Sequence, residues 1–456
     1  MATAPASAEA GTSAAAFDAF RAIDLGKRKS VVIAVSGGGD SLALLVLFAR
    51  YLRETGKAVK PLAVTVDHRL RPSSAEEARL VGEIAAGFGV DHRIMNWDGP
   101  KPATGVAAAA REARHRLLAQ AAAEAGTDIV LTGHTRDDQA ETVLMRRARG
   151  AGRGEAGIAP ATLFCGECWF VRPLLRIRRK SLREFLASAG QAWVDDPTNV
   201  DPSYERARTR AALSGVEMEQ LSAEAEQAAG LRTDVGLRAA ALIRSHAGMP
   251  MPGLLRLDRN FVSTRDREAA IYALRILLAC AGGRPQLPDQ SRVAALFDRL
   301  GAVNLRTTLS RSVIDARGTG IFILRERRNL PAPSAIQSGL WDGRFRIEGS
   351  ASDGVVIPAG TQGWTDAHDA EAAQAGVPLS LARAAFATLP ALRANGAMQL
   401  LDRTPVRLDV VAAPVVAPWA RYLPSFDAEP ARAAADLLGA APIPVPPLAR
   451  EGGGHA

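Results

Sequence analysis

The sequence predicts an α/β fold, a doubly wound parallel sheet, followed by an α-rich domain and a small mixed C-terminal domain. Three observations predict it. Short β-branched apolar runs alternate with helical stretches through the first part of the chain. Glycine-rich or charged clusters stand just after the ends of those runs. From about residue 212 the alternation gives way to long helical stretches, then to short strands set among turns.

The first element is Val31 to Val35, an apolar run suited to a fully buried strand. Ser36-Gly37-Gly38-Gly39-Asp40-Ser41 follows as a glycine loop, and Leu42 to Leu52 reads as a helix. Strand, glycine turn and helix open a βαβ unit, whose helix N-terminus suits an anion. The loop lacks the G-x-x-x-x-G-K-[ST] pattern and contains no lysine, so it is not a Walker A motif. Pro61 to Asp67 is the second strand and runs into Asp67-His68-Arg69-Leu70-Arg71. Ser74 and Glu77 have capping-box spacing and open a helix to about Phe88. Asp91 to Trp97 is a weaker strand. Gly105 to Ala125 is alanine-rich and helical, and carries Arg111, Arg114 and His115. Asp128 to Thr132 is another buried strand, followed by Gly133-His134-Thr135-Arg136-Asp137-Asp138-Gln139-Ala140-Glu141 and a helix to about Arg149.

Arg146 to Gly157 reads as a basic, glycine-rich loop, either a mobile segment that touches phosphates or a plain solvated loop. Phe170 to Leu175 reads as a strand. A helix with Ser181 and Glu184 at capping-box spacing follows, stopped by Gly190. Helices are expected at Ser214 to Ser245, Asp266 to Ala281 and Asp289 to Leu300. Thr307 to Asp315 and Gly320 to Leu324 suit a hairpin, and Ala370 to Leu401 reads as a broken helix. The expected organisation is a disordered tail at 1–25, a catalytic domain at 26–212 and an α-rich domain at 213–330. A linker at 331–340, a small C-terminal domain at 341–440 and a disordered tail at 441–456 complete it.

A net charge of +8 and a pI of about 9.8 suit a polyanionic partner. Aromatics at 5% argue against a base-stacking platform. Three cysteines, Cys165, Cys168 and Cys280, are too few for a disulfide framework in 456 residues, so a reducing, cytoplasmic setting is expected. No apolar run reaches the ~18 residues that a membrane helix needs.

The glycine loop resembles the SGGxDS loop of the PP-loop ATP pyrophosphatases. VDHRLRPSSAEEA, AREAR, GHTRDDQAET, RPLL at Arg172 to Leu175, and WVDDPTN with its trailing arginines resemble, in order, the tRNA(Ile)-lysidine synthases. The likeness is strong over about residues 28–212 and loose beyond, where LWDGRFRI is a further echo. It implies ligation of L-lysine to C2 of the wobble cytidine of a CAU-anticodon isoleucine tRNA. ATP would be consumed to AMP and diphosphate through an adenylated cytidine.

On that resemblance Ser36, Gly37, Gly38, Gly39, Asp40, Ser41 and His68 would bind ATP, and Asp40 would also hold Mg²⁺. Arg71 is a weaker candidate for the nucleotide wall. Arg111 and Arg114, three apart on one helix face, suit a phosphate clamp. Asp137, Asp138 and Glu141 share a helix face at i,i+3 and i,i+4 and suit the lysine ammonium; the same acids also suit the helix dipole. His134 would contact ATP or activate the amine, or is a structural histidine. Arg146, Arg149, Arg153, Arg206, Arg208 and Arg210 would meet tRNA phosphates. Two alternatives stay open: another PP-loop tRNA modifier such as a 2-thiocytidine synthetase, given Cys165-x-x-Cys168, or a non-catalytic nucleotide-binding module. A homodimer is an open expectation, since the sequence does not set the oligomeric state.

Overall fold

The Ala/Ser-rich N-terminus, expected to be a disordered tail over 1–25, is a helix in the computed structural model: α1 (Ala4–Arg21). Residues 4–70, 74–150, 152–194, 201–302, 304–349, 354–394, 396–401 and 410–449 are described. Alanine favours the helix, and Thr12, Ala16, Phe17 and Phe20 form a buried stripe along it. Phe20 is fully buried, with its ring 5.1 Å from Phe48 and 5.4 Å from Tyr51. The stripe had its apolar face to bury, so the segment orders.

The chain forms two compact units. One is Met1–Arg232 with Pro424–Phe426 and Val445–Ala456; the other is Thr233–Leu423 with Asp427–Pro444. In the first unit the chain continues through β1 (Ser30–Ala34), α2 (Gly39–Thr55), β2 (Lys60–Asp67), α3 (Ser74–Gly87), β3 (Asp91–Asn96) and α4 (Val106–Glu124). It then forms β4 (Ile129–Leu131), α5 (Arg136–Arg147), β5 (Ala161–Phe164), β6 (Cys168–Val171), α6 (Arg179–Ser188), α7 (Glu205–Ala212) and the start of α8 (Gly215–His246).

These six strands lie in the order β5-β6-β4-β1-β2-β3. All neighbours are parallel except β5, which makes an antiparallel hairpin with β6. The Val31, Val32, Ile33, Ile129, Val130 and Leu131 side chains are fully buried, as strands covered on both faces require. Helix α2 is buried nearly all round, from Leu42 to Phe48. The chain runs from β1 out through β2 to β3, then returns to place β4 on the other side of β1. That reversal opens a crevice at the carboxyl ends of β1 and β4. The glycine loop follows β1, and the His134 to Glu141 segment follows β4.

The second unit departs from the expected domains. β7 (Ala247–Met251), β8 (Leu254–Leu257), α9 (Arg267–Gly282), α10 (Gln290–Arg299), β9 (Leu305–Leu309), β10 (Ser312–Arg317) and β11 (Gly320–Arg325) come first. Their strands form a five-stranded antiparallel sheet, β7-β8-β11-β10-β9, so 213–330 is not simply α-rich. Thr307 to Asp315, expected as one strand, is split by a turn between β9 and β10.

β12 (Ser334–Ala335), β13 (Gly339–Trp341), β14 (Phe345–Glu348), β15 (Val355–Pro358), α11 (Asp366–Gln374) and α12 (Leu379–Phe386) follow. β16 (Pro390–Ala394), β17 (Ala397–Leu400), β18 (Val411–Pro414), β19 (Tyr422–Pro424) and α13 (Ala428–Leu438) complete the chain. The helix expected to reach Leu401 ends early, and Pro390 begins a hairpin instead. No domain border falls at 331–340. Ala372, Leu381, Ala382 and Ala385 of α11 and α12 bury against Met251, Leu254, Phe322 and Leu324 of the five-stranded sheet. The buried carboxylate of Asp342 also accepts from Arg311, Arg325 and Arg344.

Residues 441–449, expected within a disordered tail, are held. Arg432 donates to the carbonyls of Ile443 and Pro444 at 3.1 and 3.0 Å. Leu448 bridges Ile23 in the first unit. Among the described residues no helix is long and apolar enough to cross a membrane.

Candidate active site

The glycine loop is shaped by its own polar groups. The Ser41 hydroxyl donates to the Gly38 carbonyl at 2.9 Å and accepts from the Ser36 N–H at 3.1 Å. Gly37 has φ +86°, a conformation that glycine reaches without a Cβ clash. Gly38 is the N-cap of α2 and brings no side-chain cap, so the positive end of the helix dipole faces the crevice. The Val194 N–H donates to the Gly37 carbonyl at 3.1 Å, and Trp193 packs beside Gly39. The start of WVDDPTN therefore lies against the loop; Asp195 to Asn199 are outside the described residues.

Strand β4 approaches closely. A Cβ on Gly133 would lie 2.8 Å from the Asp40 carbonyl oxygen. Gly133→Ala is expected to push the β4 end off the loop and to cost about 1–3 kcal/mol. Thermal melting checks this; an unchanged midpoint would mean that the contact is not tight.

Helix α5 collects the acids. Thr135 caps it in a capping box: Asp138 Oδ2 accepts from the Thr135 N–H at 2.7 Å and from its hydroxyl at 2.9 Å. Asp137 Oδ2 accepts the backbone N–H of Arg179, the first residue of α6, at 2.8 Å. Both aspartates thus do the helix-end work that the dipole reading allows, and Asp138 also turns an oxygen to the crevice. Glu141, one turn on, has a side chain only 1% exposed.

Arginines from two other helices meet these acids. Arg179 reaches Asp40 Oδ2 at 2.8 Å, Asp138 Oδ1 at 2.7 Å and Glu141 Oε1 at 3.2 Å. Arg206 reaches Glu141 Oε2 at 2.7 Å and Asp138 Oδ1 at 2.9 Å. Arg210 reaches Glu141 Oε1 at 2.8 Å, and Arg178 stands 3.5 Å from Asp137. Burial pushes the Glu141 carboxyl up, but the hydrogen bonds from Arg210 and Arg206 outweigh it and hold its pKa below the ordinary value. Burial also raises Asp40, and Arg179 only partly offsets it. Arg179 itself is penalised by burial, yet Asp138 and Asp40 raise its pKa above the ordinary value.

Among the described residues Asp40 Oδ1 is a buried carboxylate oxygen with no hydrogen-bond partner. A buried carboxylate oxygen without a donor suits a cation. Among the described residues no three His, Cys, Asp or Glu groups surround a metal position, so a cation here would need oxygens from a ligand.

Beside the acids the field turns positive. His134 Nδ1 lies 3.0 Å from the Thr132 hydroxyl. Burial, then Arg172, Arg206, Arg111 and Arg114, hold the imidazole well below its ordinary pKa, so it is neutral at pH 7. Arg172 is held by the carbonyls of Ala159 and Phe170 and the Thr162 hydroxyl, and burial pushes it down to about 9. Burial of its guanidinium, then the charges of Arg111 and Arg206, lower the Arg114 pKa, although the residue as a whole stays exposed. His68, at the end of β2, stands edge-on to Trp97 at 5.8 Å, with Nδ1 buried and unpartnered. Burial, with Arg114, lowers its pKa. An anion placed here would relieve a crowd of cations.

The sequence-expected residues divide accordingly. Ser36 to Ser41, Asp137, Asp138, Glu141 and His134 meet around one crevice, with His68, Arg111 and Arg114 on its cationic side. Arg71 lies outside the described residues. Two of the arginines expected to meet RNA, Arg206 and Arg210, turn instead to the acids, because buried carboxylates demand counter-charges. Arg146 donates to the carbonyls of Gly154 and Gly157 at 3.2 and 2.6 Å, and the Gln139 side chain accepts the Ile158 N–H at 2.5 Å. The glycine-rich loop, expected to be either a mobile phosphate-touching segment or a plain solvated loop, is therefore tied to α5. Arg208 donates to the carbonyls of Pro202 and Ser203, Arg149 pairs with Glu205, and the Arg153 carbonyl accepts from Arg232. Arg179 was missed. Its only local signal was a basic residue just ahead of the expected capping box at Ser181 and Glu184; α6 instead begins at Arg179, with Arg178 as N-cap and no side-chain cap. Cys165 sits in the β5–β6 turn, and burial pushes the Cys168 thiol up to about 12.

The PP-loop domain family matches residues 12–217. The chain is 50% identical to a tRNA(Ile)-lysidine synthase of Mesorhizobium japonicum, over 93% of this chain and 95% of that one. It is 36% identical to the enzyme of that name from Rhizobium meliloti, over 92% and 94%. It is 39% identical to that from Brucella melitensis, over 75% and 80%. Among solved structures, a U34-tRNA thiolase from Methanococcus maripaludis aligns with a TM-score of 0.40 at 15% identity, over 48% of this chain and 78% of that chain.

Proposed function

The chain belongs to the tRNA(Ile)-lysidine synthase family, and on that premise we propose that its crevice ligates L-lysine to C2 of the wobble cytidine of an isoleucine tRNA with a CAU anticodon. ATP supplies the energy and leaves as AMP and diphosphate. The observation that carries the proposal is the meeting of an uncapped, glycine-opened helix end with a carboxylate cluster built to hold cations.

In the first step the cytidine C2 oxygen attacks the α-phosphorus of ATP, and the bond to diphosphate breaks. Negative charge grows on the departing diphosphate. The N–H groups at the start of α2 and the exposed Ser36 hydroxyl stand ready to meet it, while the Ser41 hydroxyl, given to the Gly38 carbonyl, holds the loop in shape. Arg111 and Arg114 supply charge on the far side. Asp40 Oδ1 would hold Mg²⁺ together with phosphate oxygens. Such an ion neutralises phosphate charge when bound.

In the second step the lysine ε-amine attacks C2, and the C2–O bond to AMP breaks. An ammonium with a reference pKa of about 10.4 must first lose a proton. Asp138 and Glu141 orient it, and neutral His134 stands on the cationic side of the same crevice. The tRNA body is held mainly by charge, in keeping with the net charge of +8, and residues 213–440 contribute to that hold. The setting is cytoplasmic, where the tRNA substrate resides. The names of the relatives favour ligation over thiolation or passive nucleotide binding.

The test is incubation with ATP, labelled L-lysine and the CAU-anticodon tRNA at low salt. Label is expected in the RNA, with one AMP released per lysine and a steep loss of rate as salt rises. Folded protein that incorporates no lysine would overturn the assignment.

A further inference from the structure

We propose that Arg206 closes the amine site while no nucleotide is bound and that the phosphates of ATP draw it away, so that lysine binds strongly only after ATP. This rests on the ligase reading above and adds an order and a coupling residue to it.

An ionised carboxylate offers about four lone-pair sites. Asp138 already accepts four hydrogen bonds: the Thr135 N–H and hydroxyl on Oδ2, and Arg179 and Arg206 on Oδ1. Glu141 likewise accepts from Arg179, from Arg206 and twice from Arg210. Neither acid has room for a substrate ammonium. The cluster's charge is also satisfied, since Asp40, Asp137, Asp138 and Glu141 face Arg178, Arg179, Arg206 and Arg210. A lysine entering this arrangement would add a cation to acids that are already paired.

One arginine must leave, and the geometry selects which. Arg179 spans three carboxylates, and its side chain is 12% exposed. Among the described residues Arg210 pairs with Glu141 alone, so its departure would open one acid. Arg206 touches Asp138 and Glu141 together and is the most exposed of the three, at 42%. Its departure opens one acceptor site on Asp138 Oδ1 and one on Glu141 Oε2 at once, and a primary ammonium can bridge two such oxygens. Arg206 also stands where the acids meet the cationic side. Its charge is felt at His134 and at Arg114. Phosphate oxygens arriving among Arg111, Arg114 and His134 would offer its guanidinium a bidentate partner. The vacated acids would then require a cation, and lysine supplies it. Linkage makes the coupling reciprocal: lysine must tighten nucleotide binding by the same factor.

The experiment measures L-lysine affinity of the full-length protein by equilibrium dialysis, with and without saturating α,β-methylene-ATP, which cannot be cleaved at the reacting bond. In the wild type the analogue is expected to tighten lysine binding by at least about tenfold, within the usual range of coupling between sites. In R206Q the factor is expected to fall within about twofold, because lysine then binds without the nucleotide. R210Q, whose lost contact opens only one acid, is expected to keep the coupling. A thermal melt with and without the analogue shows that each variant is folded and binds nucleotide. An unfolded R206Q leaves the wild-type factor to decide. A wild-type factor of one, or full coupling in folded R206Q, overturns the proposal. Incorporation of labelled lysine into tRNA by the same preparation separates the failures. Incorporation with a factor of one removes the gate and leaves the ligase; no incorporation and no lysine binding remove both.

Discussion

Asp40→Asn lowers lysidine formation by about 10²- to 10³-fold, the usual effect of removing one preorganised electrostatic group. The fold should tolerate the change. Burial already makes the Asp40 charge costly, and its pKa is raised despite Arg179. Arg179 keeps Asp138 and Glu141 as partners after the substitution. The loss therefore falls on chemistry. The variant gives up the charge of a buried oxygen that no protein donor satisfies, the atom placed to hold a phosphate-bound cation. Single-turnover release of diphosphate, titrated with Mg²⁺, is the measurement. A rate within about threefold of the wild type, with unchanged Mg²⁺ dependence, would show that Asp40 has no part in the reaction.

Arg179→Ala destabilises the protein by about 3–5 kcal/mol near neutral pH, the usual cost of removing one partner from a buried ion network. Arg179 touches three carboxylates, which without it would face one another across the crevice. The sign of the pH dependence follows. In the wild type Glu141 is depressed, so it contributes stability above its unfolded pKa, and that contribution is lost as pH falls through the folded value. In the variant Asp40 and Glu141 lose a counter-charge, and their folded pKa values rise. Acids with raised pKa values cost stability above those values, and the cost is relieved as pH falls through them. The gap between variant and wild type should therefore narrow from pH 7.5 towards pH 5. Urea unfolding at both pH values checks it. A gap under about 1 kcal/mol, or one independent of pH, would mean that solvent already screens the cluster.

The parts of the site that could be read from sequence were those with a local signature. Val31 to Ser41 declares strand, turn and helix within a few residues. Asp137, Asp138 and Glu141 declare a common face because helix spacing is fixed by the backbone. Even there the boundaries moved little: the first strand is Ser30–Ala34, where Val31 to Val35 was expected. The N-terminal helix was hidden by composition. Its alanines resemble a tail until Phe17 and Phe20 find a surface to bury against. The hairpin at Pro390 was hidden by helix-favouring residues on both sides, because strand pairing is a tertiary event.

From its sequence alone this protein can be placed in its fold class and its family, and its glycine loop and acid cluster can be named. Local geometry decides those features, and a short stretch of chain carries its own periodicity. Only the folded chain decides which cations answer the acids. Arg179 lies 139 positions from Asp40, and Arg206 lies 65 from Glu141. A guanidinium free to meet RNA and one locked onto a carboxylate read alike as letters. Charges buried together must neutralise one another, and which ones are buried together is settled by packing.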